Sequence, residues 1–140
     1  MRGYDYNSIN PNECGSSQTS NACPIFDRLL GSRIAVASAE VRIPLLGVEG
    51  LGLIRTNFVP VEIAPFIDAG MAWNSNTATS LRFVTGAEAR NTTARIPVVS
   101  AGISARINLF GYAVLETYYA KPFQRPDHKP LFGFQLAPGW

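Results

Sequence analysis

Val99-Ser100-Ala101-Gly102-Ile103-Ser104-Ala105-Arg106-Ile107-Asn108-Leu109 changes character at every step. Ala101, Ile103, Ala105, Ile107 and Leu109 share one parity, and Ser100, Gly102, Ser104, Arg106 and Asn108 the other. Only an extended chain, whose successive side chains point to opposite faces, sorts these residues into an apolar and a polar side. Gly111 then marks a tight turn. The same alternation runs from Ile34 to Ile43, with Ala35, Ala37, Ala39, Val41 and Ile43 against Ser38, Glu40 and Arg42. It returns from Val61 to Trp73, with Val61, Ile63, Ile67, Met71 and Trp73 against Glu62, Asp68 and Gly70. Pro65 is a blemish there, since it removes a ladder donor. Further strands are predicted over Tyr112 to Ala120 and Leu131 to Trp140. Pro44 to Phe58 reads as a Gly-rich connection in which Leu51 to Ile54 adds at most a short strand.

Composition says where such strands live. Hydrophobic residues make up 46% of the 140, enough for one domain, while charged residues make up only 16% against about a quarter in soluble proteins. That deficit suits a wall facing lipid. No run of 18 or more apolar residues exists, so strands are the remaining way into a bilayer. Charges within the predicted strands fall on their polar faces, which spares them lipid. The connections at 5–32, 74–95 and 121–129 are long or polar, and the turn at Phe110-Gly111 is minimal. An outer-membrane barrel has this asymmetry, with long loops outside and short turns in the periplasm; a soluble β-sandwich shares the alternation but not the asymmetry. Five crossings that start from an outside loop put the C-terminus in the periplasm. Bacterial barrels close with even strand numbers, so the five strands are an incomplete wall, and Met1 is read as a truncation point.

Asp68 is the residue that most needs explaining, because a carboxylate in an apolar strand requires a cationic or hydrogen-bonding partner. Arg2 is a candidate. Cys14 and Cys23 enclose eight residues rich in Ser, Asn and Gln, with no His or further Cys to complete a metal site; a loop disulfide and two free thiols both fit. His128 is the sole histidine and sits between Asp127 and Lys129 in a polar loop, and neither a Gly-x-Ser-x-Gly elbow nor a metal-spaced cluster exists. Enzymatic activity is not expected, and no cofactor is implied. A net charge of +2 with no basic stripe excludes a nucleic-acid surface. Asn91-Thr92-Thr93 matches a glycosylation pattern by chance.

Taken together, the segments resemble the bacterial surface antigen barrels, which include the BamA and TamA outer-membrane assembly factors and the transporters of two-partner secretion. Met1-Arg2-Gly3-Tyr4 looks like the Val-Arg-Gly-Phe/Tyr motif at the tip of that family's long sixth outer loop, with Met1 in place of the usual Val. Phe66-Ile67-Asp68-Ala69-Gly70 is similar to its x-Asp-x-Gly strand motif, and Ser38-Ala39-Glu40 falls where the preceding strand carries a Glu. Phe132-Gly133-Phe134-Gln135-Leu136-Ala137-Pro138-Gly139-Trp140 resembles its aromatic C-terminal strand.

The resemblance implies an all-β fold, the last third of a sixteen-stranded antiparallel transmembrane barrel, with 1–140 forming the C-terminal part of one domain. Within it 1–32 would be an outer loop folded into the lumen and 33–140 the wall. It implies a loop-to-wall contact built from Arg2, Gly3, Tyr4, Glu40, Asp68 and Gly70, a loop disulfide between Cys14 and Cys23, and a targeting strand read through Phe132, Phe134, Leu136 and Trp140. The implied work is insertion of other barrels or protein translocation in the outer membrane of a Gram-negative bacterium. Its partners would be outer-membrane lipids, unfolded outer-membrane or secreted polypeptides, and periplasmic or lipoprotein factors. The alternative is a barrel that anchors or exports a fused module. In the insertion or translocation reading Leu131 to Trp140 would form one side of a weak seam, loosened by Gly133, Pro138 and Gly139.

Overall fold

The computed structural model describes residues 1–4, 27–47, 52–55, 59–85, 88–89, 94–125 and 129–138. Alternation becomes one sheet. Its strands are β1 (Arg33–Glu40), β2 (Ile43–Gly47), β3 (Ile54–Arg55), β4 (Val61–Trp73), β5 (Val98–Leu109), β6 (Ala113–Pro122) and β7 (Leu131–Pro138). They lie in the order β3-β2-β4-β5-β6-β7, with β1 also on β4. β1 takes the second half of β4, from Glu40 opposite Phe66 to Arg33 opposite Trp73. β2 takes the first residues of the same edge, with Ile43 opposite Ile63. β1 and β2 are therefore two halves of one wall strand, and among the described residues the wall is five strands wide, with the two-residue β3 on the outer edge of β2.

The strand expected over 34–43 and the connection expected over 44–58 need correction. The strand breaks at Val41 and Arg42, then resumes and runs to Gly47. A register shift between Pro44 and Leu46 inserts an extra residue, and such a bulge accommodates a proline that a regular ladder would not. Pro65 is tolerated for a related reason. Its carbonyl accepts from the Val41 N–H at 3.1 Å, so its missing donor points to the same edge, where the neighbouring strand is interrupted. Of the short strand sought over 51–54, only Ile54 joins Arg55, running parallel to Leu46 and Gly47 of β2. β6 runs past the expected Ala120 to Pro122.

The segment read as a polar loop over 74–95 has more structure than its composition suggests. Ser80 N–H donates to the Arg95 carbonyl at 2.9 Å and Arg95 N–H to the Ala78 carbonyl at 2.8 Å, and Val84, Ala89 and Ile96 bury one another. Between β5 and β6 the turn is tight. Phe110 and Gly111 both have positive φ, 55° and 80°, as primed hairpin turns require, and Asn108 Oδ1 accepts from the Gly111 N–H at 2.8 Å.

The two faces differ sharply. One lateral row runs Glu62, Arg106, Glu116, Gln135 across four strands. On the opposite face Ile67, Ile103, Tyr119, Phe132, Phe134 and Leu136 are all about half or more exposed. Covering one such side chain is worth roughly 1.5–3 kcal/mol, so a face that leaves six uncovered is built for an apolar surrounding rather than water.

Candidate functional site

Met1 to Tyr4 form a turn closed by the Tyr4 N–H on the Met1 carbonyl at 3.2 Å. Gly3, at φ +85°, holds the third position, where a type II turn needs a positive φ. The turn lies on the polar face over β4, β5 and β6. A Cβ on Gly3 would come within 3.3 Å of Ser100 Cβ and 3.4 Å of Ala120 Cβ, while Met1 Sδ sits 2.9 Å from where a Cβ on Gly70 would be. Small wall residues thus make the notch that the tip occupies. Ser100 Oγ donates to the Arg2 carbonyl at 2.5 Å.

From this turn Arg2 projects along the polar face. Its Nε and Nη2 donate to Asp68 Oδ2 and Oδ1, both at 2.9 Å, the two-pronged geometry that suits a guanidinium. Nη1 donates to Glu40 Oε2 at 3.2 Å and to Glu116 Oε1 at 3.3 Å. Nη2 also reaches Ser38 Oγ at 3.3 Å, and that hydroxyl donates to Asp68 Oδ1 at 2.6 Å. The guanidinium carbon stands 3.6 Å from the centroid of the Phe66 ring, adding a cation–π contact. Glu40 and Glu116 are on β1 and β6, which are not neighbours. Three strand spacings would separate them by about 14 Å along a flat sheet, so the sheet curls around this side chain.

Two more arginines complete the cluster. Arg106 Nε donates to Glu116 Oε2 at 2.9 Å and its Nη1 lies 3.4 Å from Glu40 Oε1. Arg42 Nε donates to Glu40 Oε1 at 2.6 Å, and Gln135 Nε2 to Glu116 Oε2 at 3.2 Å. Three cations meet three anions. The hydrogen bond to Asp68 raises the Arg2 pKa above the ordinary arginine value, against the opposing effect of burial. A raised pKa keeps the Arg2 guanidinium charged throughout the neutral and acid range, so on the acid side the contact is lost only where its carboxylate partners take up protons.

Tyr4 is buried beside Val98, with Met1 and Leu29 packed against the pair. Its hydroxyl donates to Gln124 Oε1 at 2.9 Å, lies 3.3 Å from the Val99 carbonyl and accepts from the Gln124 N–H at 3.2 Å. Arg125 Nη1 donates to the Gly3 carbonyl at 3.4 Å. Behind the tip, Arg28 donates to the Ala89 carbonyl and Arg95 to the Asp27 carbonyl, tying 27–30 to the connection after β4. Burial, followed by the nearby charge of Arg95, pushes the Arg28 pKa down.

Of the residues named from sequence, Arg2, Glu40 and Asp68 meet, Gly3 and Gly70 shape the notch, and Tyr4 lies beside the cluster rather than in it. Phe132, Phe134 and Leu136 lie together on the apolar face of β7. Cys14, Cys23 and Trp140 lie outside the described residues. Sequence reasoning placed Ser38, Ser100, Arg106 and Glu116 on polar faces but did not join them to the contact, and it missed Gln124 and Arg125. Charge balance on one face was the available signal for Glu116; nothing in the loop pattern marked Gln124. Among the described residues, no group of three or more His, Cys, Asp or Glu is placed to hold a metal.

A model of the Omp85 superfamily domain matches residues 1–139. No curated protein and no solved structure matches the chain.

Proposed function

This chain belongs to the Omp85 superfamily of outer-membrane insertion and translocation barrels, and from that premise we propose that it is the loop-tip side of a BamA/TamA-type barrel. In this reading the polar face lines the lumen, the apolar face meets lipid, and Met1 to Tyr4 are the end of an outer loop seated inside. The observation that carries it is the gathering of carboxylates from β1, β4 and β6 onto the single guanidinium of Arg2. Arg2 fastens the tip and stiffens the wall, a structural role in which no bond is made or broken. β7, paired among the described residues through β6 alone, offers its other edge to template a substrate strand. Phe132, Phe134 and Leu136 of β7, with Trp140 following in the sequence, carry the signal that targets the protein for assembly, and the C-terminus lies in the periplasm. The substrates are unfolded outer-membrane or secreted polypeptides.

The test places the full-length protein in lipid vesicles and follows two rates. One is folding of an unfolded outer-membrane barrel, read by heat-dependent gel mobility, and the other is entry of a secreted polypeptide into a protease-protected space. One of the two should be accelerated, and Arg2→Ala should cut it about tenfold, equivalent to about 1.4 kcal/mol, while the protein itself stays folded. Vesicles that accelerate neither would overturn the reading. A full rate with Arg2→Ala would remove the tip from the mechanism.

A further inference from the structure

Gln124 follows β6 and is completely buried, at 0% exposure. A glutamine amide offers an oxygen that accepts twice and a nitrogen that donates twice, and burial makes each unfilled position costly. Here Oε1 accepts from the Val99 N–H at 2.7 Å and from the Tyr4 hydroxyl at 2.9 Å, and Nε2 donates to the Val84 carbonyl at 3.1 Å. The Gln124 main-chain N–H also donates to the Tyr4 oxygen at 3.2 Å. One side chain thereby joins the loop tip, the start of β5, the connection that follows β4 and the chain leaving β6. These partners are separate from those of Arg2, which lie on Glu40, Asp68, Glu116 and Ser38.

We propose that Gln124 is a positioning residue for the loop tip, a second fastening that works through Tyr4 and couples the tip to both neighbouring connections. The proposal rests on the reading that the tip docks in the lumen. Glutamine is specific to the task because the site needs an acceptor for Val99 and Tyr4 and a donor for Val84 at once. Glutamate would lack the donor, and methionine would lack both. Losing the Gln124 clip unpairs buried groups on the tip, at the start of β5 and near Val84 at once, so without it the tip and the segments at 79–85 and 98–100 loosen together. Arg2 holds the tip from below by charge, and Gln124 clips it from the side by geometry.

Hydrogen exchange on the full-length protein in lipid vesicles separates the outcomes, with peptides covering the tip, 79–85 and 98–100 compared with strand peptides from β6. Tyr4→Phe removes one oxygen and leaves the ring. It should speed exchange at least five- to tenfold at the tip and also at 79–85 and 98–100, since one net hydrogen bond gives about that factor and the hydroxyl takes part in three, and Gln124→Met should give the same three-segment pattern. Arg2→Lys should loosen the tip while 79–85 and 98–100 keep their protection. Acceleration confined to the tip in Tyr4→Phe, or a tip in Gln124→Met as protected as in the parent, would overturn the proposal. If Gln124→Met fails to insert, Tyr4→Phe alone decides. A tip that exchanges freely in the unmodified protein would instead sink the docking reading, and this inference with it.

Discussion

Arg2 places its five donors on four residues from three strands, β1, β4 and β6, and a lysine cannot copy that fork. Arg2→Lys should keep the charge yet lose the paired bonds to Asp68. In a double-mutant cycle with Asp68→Asn the coupling should be about 1–3 kcal/mol, measured from urea midpoints of the lipid-embedded protein; additive effects would mean that the pair contributes nothing specific. Gly3 carries a separate expectation. Its positive φ alone should make Gly3→Ala cost about 1–2 kcal/mol, and the nearness of Ser100 and Ala120 allows no relief, so loss of Arg2–Asp68 proximity should follow, read by crosslinking of cysteines at those two positions. Arg2 and Asp68 were legible in the sequence because a carboxylate in an apolar strand demands a partner, and Glu40 joined them only through the family resemblance. Glu116 was legible as a lumen-side charge only, since alternation gives the face of a residue and not its distance from another. Gln124 was not legible, because loop contacts follow no period.

At the level of strands, alternation located β4 from Val61 to Trp73 end to end and β5 to within one residue of its start. It failed where the period failed: the bulge near Pro44 shifts parity, and a reading based on parity stopped there. β7 holds a subtler departure. Gly133 was expected to weaken this strand, yet a Cβ there would collide with Cζ of Tyr118, the residue directly opposite. The glycine is the seat on which the ring lies, and aromatic cover of a strand glycine stabilises a pair. Gly133→Ala should therefore displace Tyr118 and loosen the β6–β7 pairing by about 1–3 kcal/mol, visible as faster exchange along 131–138. Tyr118→Ala combined with Gly133→Ala should recover part of that loss; no recovery would show that ring and glycine do not communicate.

For the whole molecule the apolar face is the strongest constraint. Ile103 lies in its middle, flanked by Pro65 on one side and Tyr119 on the other. Ile103→Lys should cost about 2–4 kcal/mol if that position faces mid-bilayer and should lower the folded fraction recovered from outer membranes, whereas Ser104→Ala on the other face should leave it unchanged. Strand order was legible because neighbours in sequence pair as antiparallel neighbours; how tightly the sheet bends was not, since a two-residue period carries no radius. That radius is where Arg2 has its widest effect. A single rigid guanidinium touches carboxylates on β1 and β6 at once, so the span between those strands is set by the size of one functional group. In the barrel proposed above, the tip serves as a gauge for the bore: while it is in place the wall has one permitted circumference over this arc, and when it withdraws that dimension becomes free to vary.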